Sequence, residues 1–512
     1  MHASLADLRE DIQDLLALAE SCGKRVLRHK GGLERSKGVY HDGTLTFLTA
    51  QTEQLRRAYR DVDASLRAEL KKASAWTDGD VTRLIKLKRA TADLLRALQS
   101  NLAFVLSAGD WQSPSFLHSA LPQAGTQTGK IVGTRNDYKR DRHLDANTFE
   151  TAFAREYFGS GALFPIEAYL MSSGMAAFST LVFHLRADQQ VRGPILVGAS
   201  AYFENKIVLE RAFPGQVRYV NESDADAVVD AARRLRPQAV FLDTLCNTDT
   251  LAAPDVAAIV PRLLAVLPKK SFLVVDNSGM SIACQPSDWL KTVGSALRPV
   301  VRMERKTRVF VIESLNKYYQ FGFDRVTGGI VWTPAEFAAS GIAKARVFLG
   351  TNMPDASVLA MPEPWKDGLR RRMGRMGRNA MLLAERIEAY LGEHPGGPVS
   401  HVVYPGLATH SSAAWSKSRW FHGSFLVLAF RNDRQDTRTY QKFVSRAIDR
   451  ARRDGVDLVS GTSFGFDVTR VYLTALRATG VTKPFVRVSA GTETAGEIEA
   501  VASVLISAIE SL

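Results

Sequence analysis

Four short apolar runs, PILVGA (194–199), AVFLD (239–243), FLVVD (272–276) and RVFVIES (308–314), recur through the middle of the chain with helical stretches between them. Apolar runs this short, spaced by helices, predict strands buried on both faces, and therefore a mostly parallel sheet wrapped by helices. That α/β reading covers about 166–360. The whole chain has 512 residues, more than one compact domain holds, so further domains are expected. A hydrophobic share of 46% against 23% charged residues excludes a mainly disordered chain.

Residues 1–108 read as a helical N-terminal extension. Leu5, Leu8, Ile12, Leu15 and Ala19 form one stripe. Leu55, Tyr59, Val62, Leu66 and Leu70 form a second, and Val81, Leu84, Leu87, Leu94, Leu95, Leu98 and Leu102 a third. Residues 109–165, scattered with Gly, Ser, Pro and Asn, read as an arm or linker. After 361 a basic helical stretch leads into the runs SFLVLAFR (424–431) and FVRVSAG (485–491), which predict a smaller α+β domain over 361–512.

Lys and Arg outnumber Asp and Glu by 66 to 53, but these cations fall mostly off the apolar stripes, as on a solvated face. Nucleic acid is therefore not an expected partner. The run Arg370, Arg371, Arg372, Arg375 and Arg378 is read in the same way, as a solvated helix between domains. No apolar run reaches membrane-helix length, and Asp7, Glu10, Asp11 and Asp14 interrupt the start of the chain, so a cytoplasmic protein is expected. Cys22, Cys246 and Cys284 match neither a metal spacing nor a disulfide framework, and His410 has no metal-ligand partner nearby in sequence; no metal is expected.

The chemistry concentrates where apolar strands end. Lys317 follows the RVFVIES strand by three residues, and a desolvated amine is a nucleophile toward an aldehyde, as a Schiff-base enzyme requires. Asp276 ends FLVVD, where a carboxylate is costly to bury unless it meets a cation such as a protonated pyridine nitrogen. Ser172, Ser173, Gly174 and Met175 form a small-residue turn opening a helix, whose free amides suit a phosphate. Tyr202 can stack on a flat ring, and Asn247 can donate toward a ring hydroxyl.

In this order the segments resemble the fold type I pyridoxal-phosphate enzymes, specifically the cysteine and methionine metabolism family of γ-synthases, γ-lyases and β-lyases. Ser172 to Met175 is similar to the family's Ser-Ser-Gly-Met, Asp276 to Ser278 to its Asp-Asn-Thr/Ser, and Ser314 to Tyr318 to its Ser-x-Thr-Lys-Tyr, with Asp324 at the family's spacing. VVYPGLATH (402–410), TSFGFD (462–467) and VRVSAGTE (486–493) continue the match, so the resemblance spans about 135–512.

The resemblance implies a fold type I, aminotransferase-like large domain and pyridoxal 5'-phosphate as cofactor. Lys317 would hold it and act as base, and Tyr202 would stack on the ring and assist the leaving group. Ser173, Gly174, Met175, Asn247, Asp276, Ser314 and Asn316 would complete the cofactor site, and Arg487 with Ser463 would bind the substrate carboxylate. Tyr138 and Arg140 look like the family's Tyr-x-Arg, which reaches a neighbouring subunit's phosphate site and implies a homodimer or homotetramer.

Departures fall around the substrate: Asn316 replaces a threonine, Phe203 and Glu204 replace glycines, Thr248 replaces a proline, and the stretch from Asp276 to Lys317, including the basic 302–308, is longer than usual. The expected activity is γ-elimination or γ-replacement on an amino acid carrying a side-chain leaving group, with S-adenosylmethionine as a candidate. β-Elimination at a C–S bond or transamination is the alternative reaction. From another class, an aminotransferase-like transcription regulator would use the basic head, but its stripes show no helix-turn-helix.

Overall fold

The computed structural model describes residues 2–35, 42–108, 144–158, 166–284, 307–334, 340–474 and 483–512. Tyr138, Arg140 and 302–306 of the basic run lie outside the described residues. The chain divides into two compact units.

The first unit comprises 1–152, 323–327 and 350–364. Its helices His2–Arg35, Asp42–Leu70 and Val81–Ser107 bury the expected stripes through Leu8, Ile12, Leu15 and Ala19, through Leu55, Tyr59, Val62 and Leu66, and through Leu84, Leu95, Leu98 and Leu102. Leu94 differs from expectation and is 47% exposed. Leu95, Leu98 and Leu102, at i, i+3 and i+7, set the inward face, and Leu94 is turned off it by about 100°.

Residues 350–364, expected to straddle the end of the sheet domain and the start of the smaller one, belong to this helical unit. The helix Asp355–Ala360 ends in carbonyls that long side chains satisfy: buried Gln99 donates to Ala360 O at 3.0 Å, and Arg25 donates to Leu359 O and Met361 O. Cys22 Sγ in turn donates to Gln99 Oε1 at 3.0 Å. Each removes a buried, unpaired polar group that would cost about 1–3 kcal/mol.

The second unit holds both sheets. The larger contains β1 (Ile166–Met171), β2 (Ile195–Gly198), β3 (Val217–Val220), β4 (Ala239–Asp243), β5 (Phe272–Asp276), β6 (Arg308–Ser314) and β7 (Gly329–Pro334), in the order β1-β7-β6-β5-β4-β2-β3. β3, β2, β4, β5 and β6 run parallel, while β7 is antiparallel to both β6 and β1. The sheet is mostly parallel, as its continuous apolar runs require.

The smaller sheet contains β8 (Val399–Val403), β9 (Phe425–Phe430), β10 (Val459–Ser460), β11 (Arg470–Leu473) and β12 (Val486–Ser489), ordered β10-β11-β12-β9-β8. Only β10 and β11 pair in parallel. Helices Lys366–Glu393, Thr437–Asp454 and Ala495–Glu510 cover one face, packing Leu383, Ile387, Phe443, Val501 and Leu505 on Leu426, Leu428, Val486 and Val488. Arg487 alternates with Val486 and Val488 and so lies on the opposite face.

Candidate active site

Because β4, β5 and β6 are parallel, their carboxyl ends emerge together, the usual place for a ligand in such sheets. Asp243 and Asp276 are direct neighbours in register at the ends of β4 and β5. Asp276 accepts hydrogen bonds from Ser278 N at 3.0 Å and from Asn205 Nδ2 at 3.1 Å. Ser278 Oγ then accepts from Ser314 N at 2.9 Å, tying this turn to the end of β6.

The small-residue turn lies against the same strand ends. Ser173 caps the helix Gly174–Phe183, its Oγ accepting from Ala176 N at 3.0 Å, an arrangement worth about 1 kcal/mol. Ser173 O takes Ala177 N, while the amides of Gly174 and Met175 precede the helical ladder. A Cβ on Gly329 would stand 2.2 Å from Ser173 O, so only glycine permits β7 to approach the turn. Asn316 Oδ1 accepts from Gly328 N at 2.7 Å and fixes the loop that carries Lys317.

Lys317 Nζ donates to Ser463 Oγ at 2.8 Å and lies 5.0 Å from the Phe464 ring centroid. Ser463 has φ +72°, a sparsely populated conformation for a residue with a side chain. Gly465, at φ +90°, brings this loop so close that an added Cβ would be 2.0 Å from Lys317 O. Arg372 braces the loop through Asp467 at 2.6 Å and Gly465 O at 3.2 Å. The solvated-helix expectation thus fails at Arg372, and also at Arg375, which is buried; Arg370 and Arg378 remain exposed.

Arg487 is only 3% exposed, yet its guanidinium contacts neutral oxygens: Nη1 donates to Asn247 Oδ1 at 2.7 Å and Nη2 to Ser463 O at 3.0 Å. Among the described residues it forms no ion pair, and its Nε has no partner. Burial lowers its pKa to about 10. A buried cation so placed calls for an anion, and its fork matches a carboxylate.

Tyr202 caps the next helix, Phe203–Ala212, with its N–H donated to Asp243 Oδ2 at 2.9 Å. Burial, then the Glu204 charge, push its phenol upward, so it keeps its proton at neutral pH. Glu313, fully buried before Ser314, accepts from Tyr319, from Trp332 Nε1 at 3.0 Å and from Asn277 Nδ2 at 3.3 Å. Burial raises it to about 7 against the effect of these donors.

Contacts and register thus bring Ser173, Gly174, Tyr202, Asn247, Asp276, Ser314, Asn316, Lys317, Ser463 and Arg487 into one connected region, with Met175 in the first turn beside Gly174. The set offers an amine for an aldehyde, helix-end amides for a phosphate, a carboxylate for a pyridinium and an unpaired guanidinium edge for a carboxylate, which fits pyridoxal phosphate with an amino acid. Sequence reasoning passed over Asp243, Asn205, Phe464 and Glu313. Asp243 ends an apolar run as Asp276 does, so the same strand-end signal pointed to it.

The family model described as Cys/Met metabolism PLP-dependent enzyme matches residues 309–501. A curated relative, the bifunctional enzyme flvA of Aspergillus flavus, is 27% identical over 348 residues, which cover 67% of this chain and 39% of that protein. The chain therefore spans about two-fifths of the length of that relative. Cystathionine gamma synthase from Xanthomonas oryzae pv. oryzae, solved with cystathionine, matches with TM-score 0.55 and 20% identity over 73% of this chain and 88% of that one. CalE6, a methionine gamma lyase from Micromonospora echinospora, gives TM-score 0.54 and 20% identity, covering 72% and 88%. Cystathionine gamma-lyase from Lactobacillus plantarum, complexed with L-serine, gives 0.57 and 20%, covering 78% and 93%. These likenesses establish the fold as that of the fold type I pyridoxal-phosphate enzymes.

Proposed function

We propose that this chain, which carries the pyridoxal-phosphate-dependent Cys/Met metabolism core across residues 309–501, catalyses γ-elimination or γ-replacement on an α-amino acid with a side-chain leaving group. The observation that carries the reading is the linked set Lys317–Ser463–Arg487–Asn247, in which one serine joins the amine to a buried guanidinium that meets no anion among the described residues. When bound, pyridoxal phosphate supplies an electron sink for charge developing at the substrate's Cα.

The chain's own residues do the rest. Lys317 would hold the cofactor's aldehyde, and the Gly174 and Met175 amides with Ser173 would hold its phosphate. Asp276, its carboxylate oriented by two hydrogen-bond donors, would meet the ring nitrogen. Of the five N–H bonds of Arg487, Asn247 and Ser463 take two, leaving a fork for the substrate carboxylate. That grip orients the Cα proton toward the freed Lys317 amine, which removes it and then a Cβ proton. Tyr202, holding its proton, would deliver it to a departing thiolate or carboxylate, whereas a sulfonium leaves as a neutral thioether and needs none.

The γ-carbon assignment is supported by the γ-synthase and γ-lyases among the solved relatives. S-Adenosylmethionine is the substrate we would test first: Phe203, whose ring lies 5.1 Å from that of Tyr202, offers a stacking face at a position where the resemblance has glycine. The resemblance at Tyr138 and Arg140 makes a homodimer or homotetramer part of the proposal. No helix among the described residues is long and apolar enough to cross a membrane.

Loss of a group from Cγ requires proton loss at Cα and then at Cβ, whereas β-elimination requires only the first. In heavy water, norvaline incubated with the cofactor-loaded chain should exchange deuterium at Cα and, more slowly, at Cβ, as followed by mass and NMR. Exchange confined to Cα, with norvaline shown to bind, reassigns the chemistry to β-elimination or transamination.

A further inference from the structure

We propose that Asp243 is a positioning residue of this site, a carboxyl that stays neutral beside the Asp276 carboxylate, anchors the Tyr202 backbone and confines the negative charge at the ring nitrogen to Asp276. The inference rests on the cofactor reading above for its purpose, but its physical basis lies in the protein alone.

Asp243 and Asp276 are register partners on adjacent parallel strands, whose spacing is about 4.8 Å. The two carboxyls differ in their support. Asp276 has the Ser278 amide and the Asn205 side chain as donors, whereas the donor shown to Asp243 is the single Tyr202 amide. Asp243 is also the deeper, at 7% exposure. A buried carboxyl with one amide donor and an anion beside it holds its proton, since ionisation would add a second charge where solvent cannot reach.

The other elements packed around Asp243 reinforce this. Fully buried Glu222, just after β3, accepts from Ser200 N at 2.9 Å and from Cys246 Sγ at 3.4 Å, and its Oε2 has no partner. Cys246 follows β4, and burial pushes its thiol upward, so it adds no cation beside Asp243. The cation in this group is Lys206, on the helix that Tyr202 caps, and its Nζ is engaged with Ala199 O at 2.9 Å. Burial first, then the Asp276 charge, raise Asp243 well above the usual carboxylate range. A neutral carboxyl still offers a carbonyl oxygen, which is all the Tyr202 N–H requires. Tyr202 stays in place while Asp276 carries the charge.

The sign of the pH effect follows. A carboxyl raised in the folded state contributes stability that is fully present below its unfolded pKa, about 4, and is lost as pH rises toward the folded value. Asp243→Asn, a neutral isostere, removes that loss. The full-length wild type and variant, each with and without pyridoxal phosphate, are melted across pH 5–9. The cofactor-free Asp243→Asn protein should gain melting temperature relative to wild type steadily as pH rises, and Asp243→Ser should show the same trend from a lower start.

In the loaded proteins, the pH midpoint of the cofactor's long-wavelength absorbance should stay near wild type in Asp243→Asn and move in Asp276→Asn. A melting-temperature gap constant across this range, or an absorbance midpoint moved as far by Asp243→Asn as by Asp276→Asn, overturns the proposal. Should the asparagine variant not fold, the serine variant decides on the same slope. If even the wild type takes up no cofactor, the functional reading fails, while the cofactor-free melting curves still decide the charge state of Asp243.

Discussion

Lys317→Ala is expected to fold, to lose the cofactor's long-wavelength absorbance and to lose at least about 10³-fold in turnover, because in the proposed site one amine both holds the cofactor and moves the protons. Folding should survive because the Ser463 hydroxyl that loses the Lys317 hydrogen bond is neutral, so no charge is left unpaired there. The loop around it remains tied by Arg372 to Asp467 and Gly465. Added small primary amines should restore part of the turnover in proportion to their basicity, a response that a structural lysine would not give. Turnover and absorbance unchanged in the variant would remove Lys317 from the chemistry.

Asp276→Asn is expected to retain the cofactor but to lose about 10²–10³-fold in turnover, or roughly 3–4 kcal/mol of transition-state stabilisation. Asparagine can still accept from Ser278 N, but a neutral amide does not keep the ring nitrogen protonated, so charge at Cα loses its sink. The loss should appear in kcat more than in KM, since in the proposed site Arg487 and not Asp276 holds the substrate. A variant with wild-type kcat would show that the ring nitrogen needs no anion here.

The sheet was legible where burial is complete. AVFLD, FLVVD and RVFVIES coincide residue for residue with β4, β5 and β6, because a strand covered on both faces is apolar along its whole length. The reversed direction of β7 was not legible, since strand direction leaves no mark in a local pattern. Nor was the placement of 350–364, which depends on Gln99 and Arg25 meeting carbonyls more than 250 positions away. In the same way, Arg372 and Arg375 look like members of a solvated charge run until the loop containing Asp467 folds against that helix.

For the site, local motifs marked Lys317, Asp276 and the Ser173 turn. What they did not show was the closure of the network through Ser463 and Arg487, nor the pairing of Asp243 with Asp276, which needs two strands laid side by side. Glu313 is the opposite case: a carboxylate inside an apolar strand is legible, but its three donors come from Asn277, Tyr319 and Trp332, and only the fold assembles them.

The central claim, that Lys317 is the residue joined to the cofactor, is tested most directly by loading the full-length chain with pyridoxal phosphate, reducing it with borohydride to make the carbon–nitrogen bond permanent, and mapping the modified peptide by mass spectrometry. The account predicts a single stoichiometric adduct on Lys317. A chain in which Lys317 stays unmodified, with the label absent or fixed to another lysine such as Lys206, would contradict it.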